Sequence, residues 1–467
     1  MSELPHVVIL GGGPAGVGGA YYLTRAARAR VTLVEQQRAL GGNAGSFDVQ
    51  GMRVDYGSHR LHHACDPAIL ADLEALIGTD LLSNPRRGRI RLRNRWVQFP
   101  LKPVDLLLRL DRGFAIGSLR DMVAGALHRS NGRSADTFAA VLQGSLGPTI
   151  CEHFYFPYAR KLWGREPEEL SAIQARKRVS AGTFSKLMKR LFRPPGAGRF
   201  YYPRNGYGQI TEALASAASD AGATIRTGTR VTGLEWRAGA WAVTVARDGT
   251  EEVLLADHVW STIPTPLVAR MMRPGAPQEV MDAAGAISYR AMVLAYLVLD
   301  VDRFSTTDAH YFPEENVAMT RLSEPKNYAQ RTEPKGRTVL CAELPCNVDD
   351  ELWRMSDAEI GELVAADMAV AGIPLLRPPV HVETRRLKQA YPIYLNGYEA
   401  PFAVLDRWAE SLPQFLLYGR QALFAHDNTH HGLYMASAAV DCLTDAGFDH
   451  GKWRAYREIF ASHVVED

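Results

Sequence analysis

Three consecutive glycines near the start of the chain constrain it more than any other feature. In 7-VVILGGGPAGVGGA-20, short apolar residues run into Gly11, Gly12 and Gly13, followed by Pro14, Ala15 and Gly16. Val7 to Leu10 suit a strand buried on both faces. Gly11, Gly13 and Gly16 make the spacing G-x-G-x-x-G. Ala15 to Arg28 reads as a helix, and a second strand, 31-VTLVE-35, ends in an acid. Each glycine answers a steric demand of such a turn. Gly11 permits the tight bend, Gly13 removes a side chain where a diphosphate would approach, and Gly16 lets helix and strand close up. The helix start around Ala15 and Gly16 offers unpaired N–H groups and the positive end of its dipole. Glu35 can accept a ribose hydroxyl, and it would repel a 2′-phosphate. Strand, helix, strand and terminal acid in this order predict a Rossmann-type dinucleotide-binding unit.

With 467 residues the chain exceeds one ordinary core. Lys and Arg number 53 against 51 Asp and Glu, so nothing favours a nucleic-acid partner. The cysteines, Cys65, Cys151, Cys341, Cys346 and Cys442, are odd in number and form no CxxC pair. Reduced thiols and a cytoplasmic location are the expectation. The first apolar run is too short for a membrane span, and no transmembrane segment is expected. The mixed basic and apolar stretch 186-KLMKRLFRPP-195 reads as the end of a solvated amphipathic helix.

The nucleotide unit is expected to be discontinuous. After 38-RALGGNAGSF-47, the segment 219-SDAGATIRTGTRVTGLEWRAGAWAVTVARDG-249 reads as helix end, strand and β-hairpin. Then 253-VLLADHVWSTIP-264 ends a buried strand, 415-FLLYGR-420 is a strand meeting a glycine, and 432-GLYMASAAVDCL-443 is a helix opening with small residues. Between these pieces, 293-VLAYLVL-299 and 338-TVLCAEL-344 are strands, and 356-SDAEIGELVAADMAVAG-372 is a helix with Ser356 as N-cap. The expectation is an α/β chain. A Rossmann-type domain would be built from residues 1–85, 201–286 and 411–467, with a helical cap over 86–200 and a mixed α+β substrate domain over 287–410.

Several stretches together resemble a known group of flavoproteins. They are 54-VDYGSHRLHH-63, 90-IRLRNRWVQFPLKP-103, 153-HFYFPYARKLWGREPEELS-171, 202-YPRNGYGQITEALA-215, 391-YPIYLNGY-398 and 419-GRQALFAHDN-428. The pattern is similar to the amine-oxidase-like FAD proteins, in the branch of UDP-galactopyranose mutases and protoporphyrinogen-oxidase-like proteins. The resemblance implies noncovalent FAD. It places Gly41, Gly42 and Asn43 alongside the cofactor, Gly57, Ser58 and His59 against the flavin, Val231 near the adenine end, and Gly419 and Arg420 at the second approach. It also implies that Arg290 and Arg420 face a substrate diphosphate, and that Lys161, Trp163, Arg176 and Arg178 cover the pocket. Two chemistries stay open: hydride transfer to flavin N5, or a mutase reaction on reduced flavin with no net redox change. Remote cousins of the escort type bind without chemistry. The chain departs from the mutases at Ala422, where glycine is usual, at His426, where tyrosine is usual, and at His430, where an acid is common.

Histidine is the side chain best suited to proton transfer near neutral pH. His59, His62 and His63 lie in one flavin-approaching segment, and His426, His430 and His431 in the other. His59 and His430 are the expected bases, with Arg420 as an anion clamp. Neither H-x-x-H-H nor H-x-x-x-H-H matches a standard zinc spacing, so no metal is expected. The substrate is read as a small molecule, anionic and nucleotide-linked ones included. In 86-RRGRIRLRNRW-96, arginines at 87, 89, 91, 93 and 95 alternate with other residues. As one strand, they would share a face.

Overall fold

The computed structural model describes residues 4–99, 136–178 and 198–465, with a few positions between 113 and 121. The stretch 186–195 read as an amphipathic helix end lies outside the described residues. Five parallel strands form the first sheet, in the order Thr224–Arg226, Arg30–Val34, His6–Leu10, His258–Ser261 and Phe415–Leu417. The sheet thus draws on the beginning, middle and end of the chain. His6–Leu10 occupies the centre, with Val7, Val8, Ile9 and Leu10 all fully buried. Covering helices explain the unbroken apolar run. The helix Pro14–Arg25 packs against Thr429–Cys442 so closely that a Cβ on Gly18 would lie 2.9 Å from Leu433 Cδ2.

The second sheet has seven strands, in the order His381–Pro392, Tyr289–Leu299, Thr338–Cys346, Arg321–Ser323, Ala309–Tyr311, Gly88–Leu92 and Arg95–Phe99. Its strand Tyr289–Leu299 shows why an alternating pattern is missing from the sequence. Val293, Ala295, Leu297 and Leu299 pack under Ile360, Val364 and Met368 of the helix Asp357–Val370. Met292, Leu294, Tyr296 and Val298 pack against Val49, Met52 and Val54 of the hairpin Ser46–Val49 and Met52–Asp55. Both faces are covered, so from Ala291 to Leu299 every position is apolar. Ser356 caps the helix, accepting Glu359 N–H while Glu359 accepts Ser356 N–H.

Two expectations are corrected here. Residues 86–200 are not wholly helical, because Gly88–Leu92 and Arg95–Phe99 form a hairpin at the edge of the seven-stranded sheet. The arginine row is therefore not one strand face. Arg93 and Asn94 both take positive φ, 54° and 60°, which reverses the chain after three of the five arginines. Arg91 turns inward, is 5% exposed and pairs with Glu314, while Arg87, Arg89, Arg93 and Arg95 are exposed. All five cysteines are buried and free. Among the described residues no helix is long and apolar enough to cross a membrane.

Candidate functional site

A glycine-rich loop follows the central strand at the point where the strand order reverses, the place where α/β sheets receive ligands. Gly11 takes φ +101°. Gly16 cannot carry a side chain, because its Cβ would lie 1.9 Å from Gly11 O. Gly13 differs from both: a Cβ there meets nothing within 4 Å, and its φ of −74° suits any residue. The protein itself does not require glycine at 13, and the uncapped helix N-terminus beside it is suited to an anion.

Other elements close on this loop. Gly41 N–H donates to Gly12 O at 2.8 Å, and a Cβ on Gly42 would touch Gly13 Cα at 3.4 Å. Asn43 Nδ2 donates to Gln389 O. Glu35 is buried and accepts Gly12 N–H and Gln37 N–H, both at 2.7 Å, one on each oxygen. Each oxygen keeps a second lone pair for a hydroxyl. Burial pushes the Glu35 pKa up, and these backbone donors oppose it. Thr229 N–H donates to Glu35 O, which brings the segment before Val231 beside the acid. Gly419, at φ +87°, lies so near the helix start that a Cβ would sit 2.7 Å from Ala15 Cβ. These residues fit a dinucleotide with its diphosphate at the Pro14–Arg25 helix and its ribose near Glu35.

The two histidine segments meet beside this loop. Gly57, at φ +96°, and Ser58 are fixed from the second sheet: Ser58 N–H donates to Glu343 Oε1 at 2.8 Å, and Ser58 Oγ bonds Tyr328 OH at 2.5 Å. His59 stacks on Tyr207 at 5.3 Å, and Tyr207 is hydrogen-bonded to Thr429, the first residue of the helix Thr429–Cys442. His59 Nε2 bonds Tyr56 O at 2.9 Å. Burial holds the His59 pKa down, and the Asp55 carboxylate opposes this. His430, in the first turn of the same helix, is 4% exposed, and neither ring nitrogen has a hydrogen-bond partner among the described residues. Burial, followed by the nearby His62 and His463, pulls its pKa down to about 4. His430 is therefore neutral near pH 7, with a lone pair able to take a proton.

That depression predicts acid lability. A histidine with a folded pKa below its unfolded one contributes stability that is intact above the unfolded value, about 6.5. The contribution is lost as the pH falls through the folded value. Between pH 6.5 and 4, wild type should lose up to about 3 kcal/mol more stability than His430→Gln. Urea unfolding across that range measures it, and parallel curves for the two proteins would refute it.

The expected substrate-binding residues are placed differently from one another. Lys161 Nζ donates to three backbone carbonyls, Phe312 O, Glu314 O and Met319 O, at 2.6–3.0 Å. Burial draws its pKa down to about 7, yet three carbonyl acceptors match three ammonium N–H bonds. Its place is a backbone cage joining the helix Phe156–Trp163 to a loop of the second sheet. Trp163 is 1% exposed, in a core with Leu142 and Leu170, and its ring meets His426 edge-on at 4.9 Å. Arg290 is buried, bonding Asn347 Oδ1 and the carbonyls of Lys161 and Pro345. Arg420 donates to Ala390 O at 3.1 Å and lies over the Tyr391 ring at 5.1 Å. Arg176 is exposed on the helix Ala172–Arg178, and the side chain of Arg178, at its end, lies outside the described residues.

Sequence reasoning missed the supports of this site. Asp55 is buried and accepts Ser46 Oγ, Tyr202 OH and Tyr207 N–H at 2.6, 2.6 and 2.9 Å. Glu343 makes a two-pronged pair with Arg321, both bonds 2.8 Å, behind Gly57 and Ser58. Asp427 and His463 lie beneath His431. Only the run 54-VDYGSH-59, with an acid closing the strand Met52–Asp55, hinted at any of these.

Comparison with known proteins adds a family to this geometry. The sequence pattern of the family described as "Flavin containing amine oxidoreductase" matches residues 14–441. A phytoene dehydrogenase of Streptomyces griseus is 29% identical over 294 residues, 57% of this chain and 56% of that protein, little more than half the relative's length. Among solved structures, a reduced UDP-galactopyranose mutase superposes with a TM-score of 0.81 at 20% identity, over 99% of this chain and 100% of that one. A cyclohexylamine oxidase from Brevibacterium oxydans IH-35A superposes with a TM-score of 0.66 at 15% identity, over 94% and 98%. At these identities the two superpositions speak for the fold.

Proposed function

Since the chain belongs to the flavin containing amine oxidoreductases and takes FAD as its cofactor, we propose that it is an oxidoreductase removing hydride from a carbon of a polar small molecule. Sugars and nucleotide-linked sugars are the class to screen first. Bound FAD supplies the hydride acceptor, N5 of its ring system. Gly11, Gly13, Pro14, Ala15 and Gly16 would hold the diphosphate, and Glu35 a ribose. Gly41, Gly42 and Asn43 would close the groove from one side, with Val231 towards the adenine. Gly57, Ser58, Gly419 and Arg420 would flank the flavin.

The observation that carries this reading is His430, buried, neutral and with both ring nitrogens unpartnered among the described residues. A buried imidazole without partners is costly unless a ligand completes it. In the first turn of the helix whose Thr429 bonds Tyr207, the ring on which His59 stacks, it can take the proton that leaves a substrate hydroxyl or amine as hydride departs. His59, braced by Tyr56 O and Tyr207, orients the same region. Arg420 would align an anionic substrate group from the other side.

Anaerobic spectroscopy tests the reading. Purified protein is mixed with UDP- and dTDP-sugars, plain sugars and amines under argon. A substrate should bleach the oxidised flavin absorbance stoichiometrically, and His430→Gln should slow that bleaching by about 100-fold or more. Turnover that needs prior dithionite reduction, with no net electron transfer, would point instead to a mutase. A colourless protein that takes up no FAD would defeat both.

A further inference from the structure

Beneath the candidate base lies a second cluster that the proposed reaction does not use. Asp427 is 4% exposed, and neither carboxylate oxygen has a hydrogen-bond partner among the described residues. His431 Nδ1 stands 3.6 Å from Oδ1, and His463 Nδ1 stands 3.6 Å from Oδ2. One donor atom from each of the three side chains lies within 4.8 Å of the others. Both 3.6 Å separations are too long for hydrogen bonds. Each ends on a different carboxylate oxygen, so a single oxygen shared by both imidazoles at the edge of a tetrahedral site, about 3.4 Å, requires the donors, now within 4.8 Å, to draw in. Lys177, which also acts on Asp427, donates its Nζ to Phe460 O at 3.3 Å. A buried carboxylate needs a countercharge, and His463, His431 and Lys177 all face Asp427 and lower its pKa.

We propose that Asp427, His431 and His463 bind a divalent transition-metal ion, one residue away from His430. Two imidazoles and one carboxylate suit Zn²⁺ or Co²⁺ in a four-coordinate site whose last position is open to water. The inference is independent of the substrate reading. Two details set its terms. The rings of His431 and His463 lie nearly parallel, 13° apart at 4.1 Å, and an ion in the plane of both requires one ring to turn. His463 belongs to the tail beyond the helix His450–Ala461, so it is the ring placed to turn. His431 Nδ1 also accepts Asn428 N–H at 3.1 Å, so an ion competes with that helix cap. Asp427 and His463 therefore carry most of the binding. Chain spacing concealed the site because His463 lies far along the sequence from His431 and across a helix.

Cobalt binding provides the test. Untagged holoprotein stripped with EDTA is titrated with Co²⁺, followed by Zn²⁺. One equivalent of Co²⁺ should bind, with ligand-field bands to the red of the flavin absorbance that Zn²⁺ abolishes. Asp427→Asn and His463→Gln should each weaken binding by at least about 10–100-fold. His450→Gln, at an exposed histidine, should leave it unchanged. Absence of cobalt bands in the wild type would overturn the proposal, whatever the variants do. Stoichiometric binding unaffected by both ligand variants would overturn it as well.

Discussion

Gly13→Val is expected to give a folded protein that no longer holds FAD. The new side chain meets no protein atom, since a Cβ at residue 13 has nothing within 4 Å, and the backbone there is already extended. Stability of the cofactor-free protein should stay within about 0.5 kcal/mol of wild type, as for other substitutions without a steric or polar conflict. The isopropyl group would fill the space into which a diphosphate must come to reach the helix N–H groups. FAD affinity should fall at least about 100-fold, near 3 kcal/mol. Gly16→Val is the contrasting case. Its Cβ would collide with Gly11 O at 1.9 Å, a backbone atom that cannot move aside, so the fold itself should suffer. Flavin fluorescence titration and thermal melts separate the two. Equal loss of stability in both variants, or full FAD binding by Gly13→Val, contradicts the assignment.

Arg321→Met should destabilise the protein by about 3–5 kcal/mol, the effect of stripping one partner from a buried ion pair. Arg321 is 15% and Glu343 5% exposed, and their two hydrogen bonds are both 2.8 Å. Without the guanidinium, Glu343 keeps Ser58 N–H as a donor and loses its countercharge. The damage should reach the cofactor groove, because Glu343 is what fixes Gly57 and Ser58 against the second sheet. Arg321→Met with Glu343→Leu removes both charges and should recover much of the lost stability. Denaturant unfolding of the two variants checks this. A double variant no better than the single one would mean that the pair acts through something other than charge burial.

What the sequence disclosed depended on how local the cause was. The glycine loop was legible because its requirements fall within a few residues: Gly16 is excluded from side chains by Gly11, five positions back, and Ser356 and Glu359 cap each other within one turn. The helix Thr429–Cys442 and the strand at Phe415–Leu417 showed the same economy. The arginine row misled because its alternation was read through Arg93 and Asn94, whose left-handed backbone folds the row in two. Asn94 was the available warning. Charged residues were harder still, since their partners are set by topology. Tyr202 reaches Asp55 from 147 positions away, and Lys161 is caged by carbonyls more than 150 positions along. A lysine matched to a pocket by pattern alone gives no sign that three backbone oxygens already claim it.

A crystal structure of the protein soaked with FAD tests the central claim most directly. The account predicts diphosphate oxygens within hydrogen-bonding reach of the N–H groups that open the Pro14–Arg25 helix, beside the bare Cα of Gly13, and a ribose hydroxyl on Glu35. An FAD bound elsewhere, with the loop from Gly11 to Gly16 touching no phosphate, would contradict it.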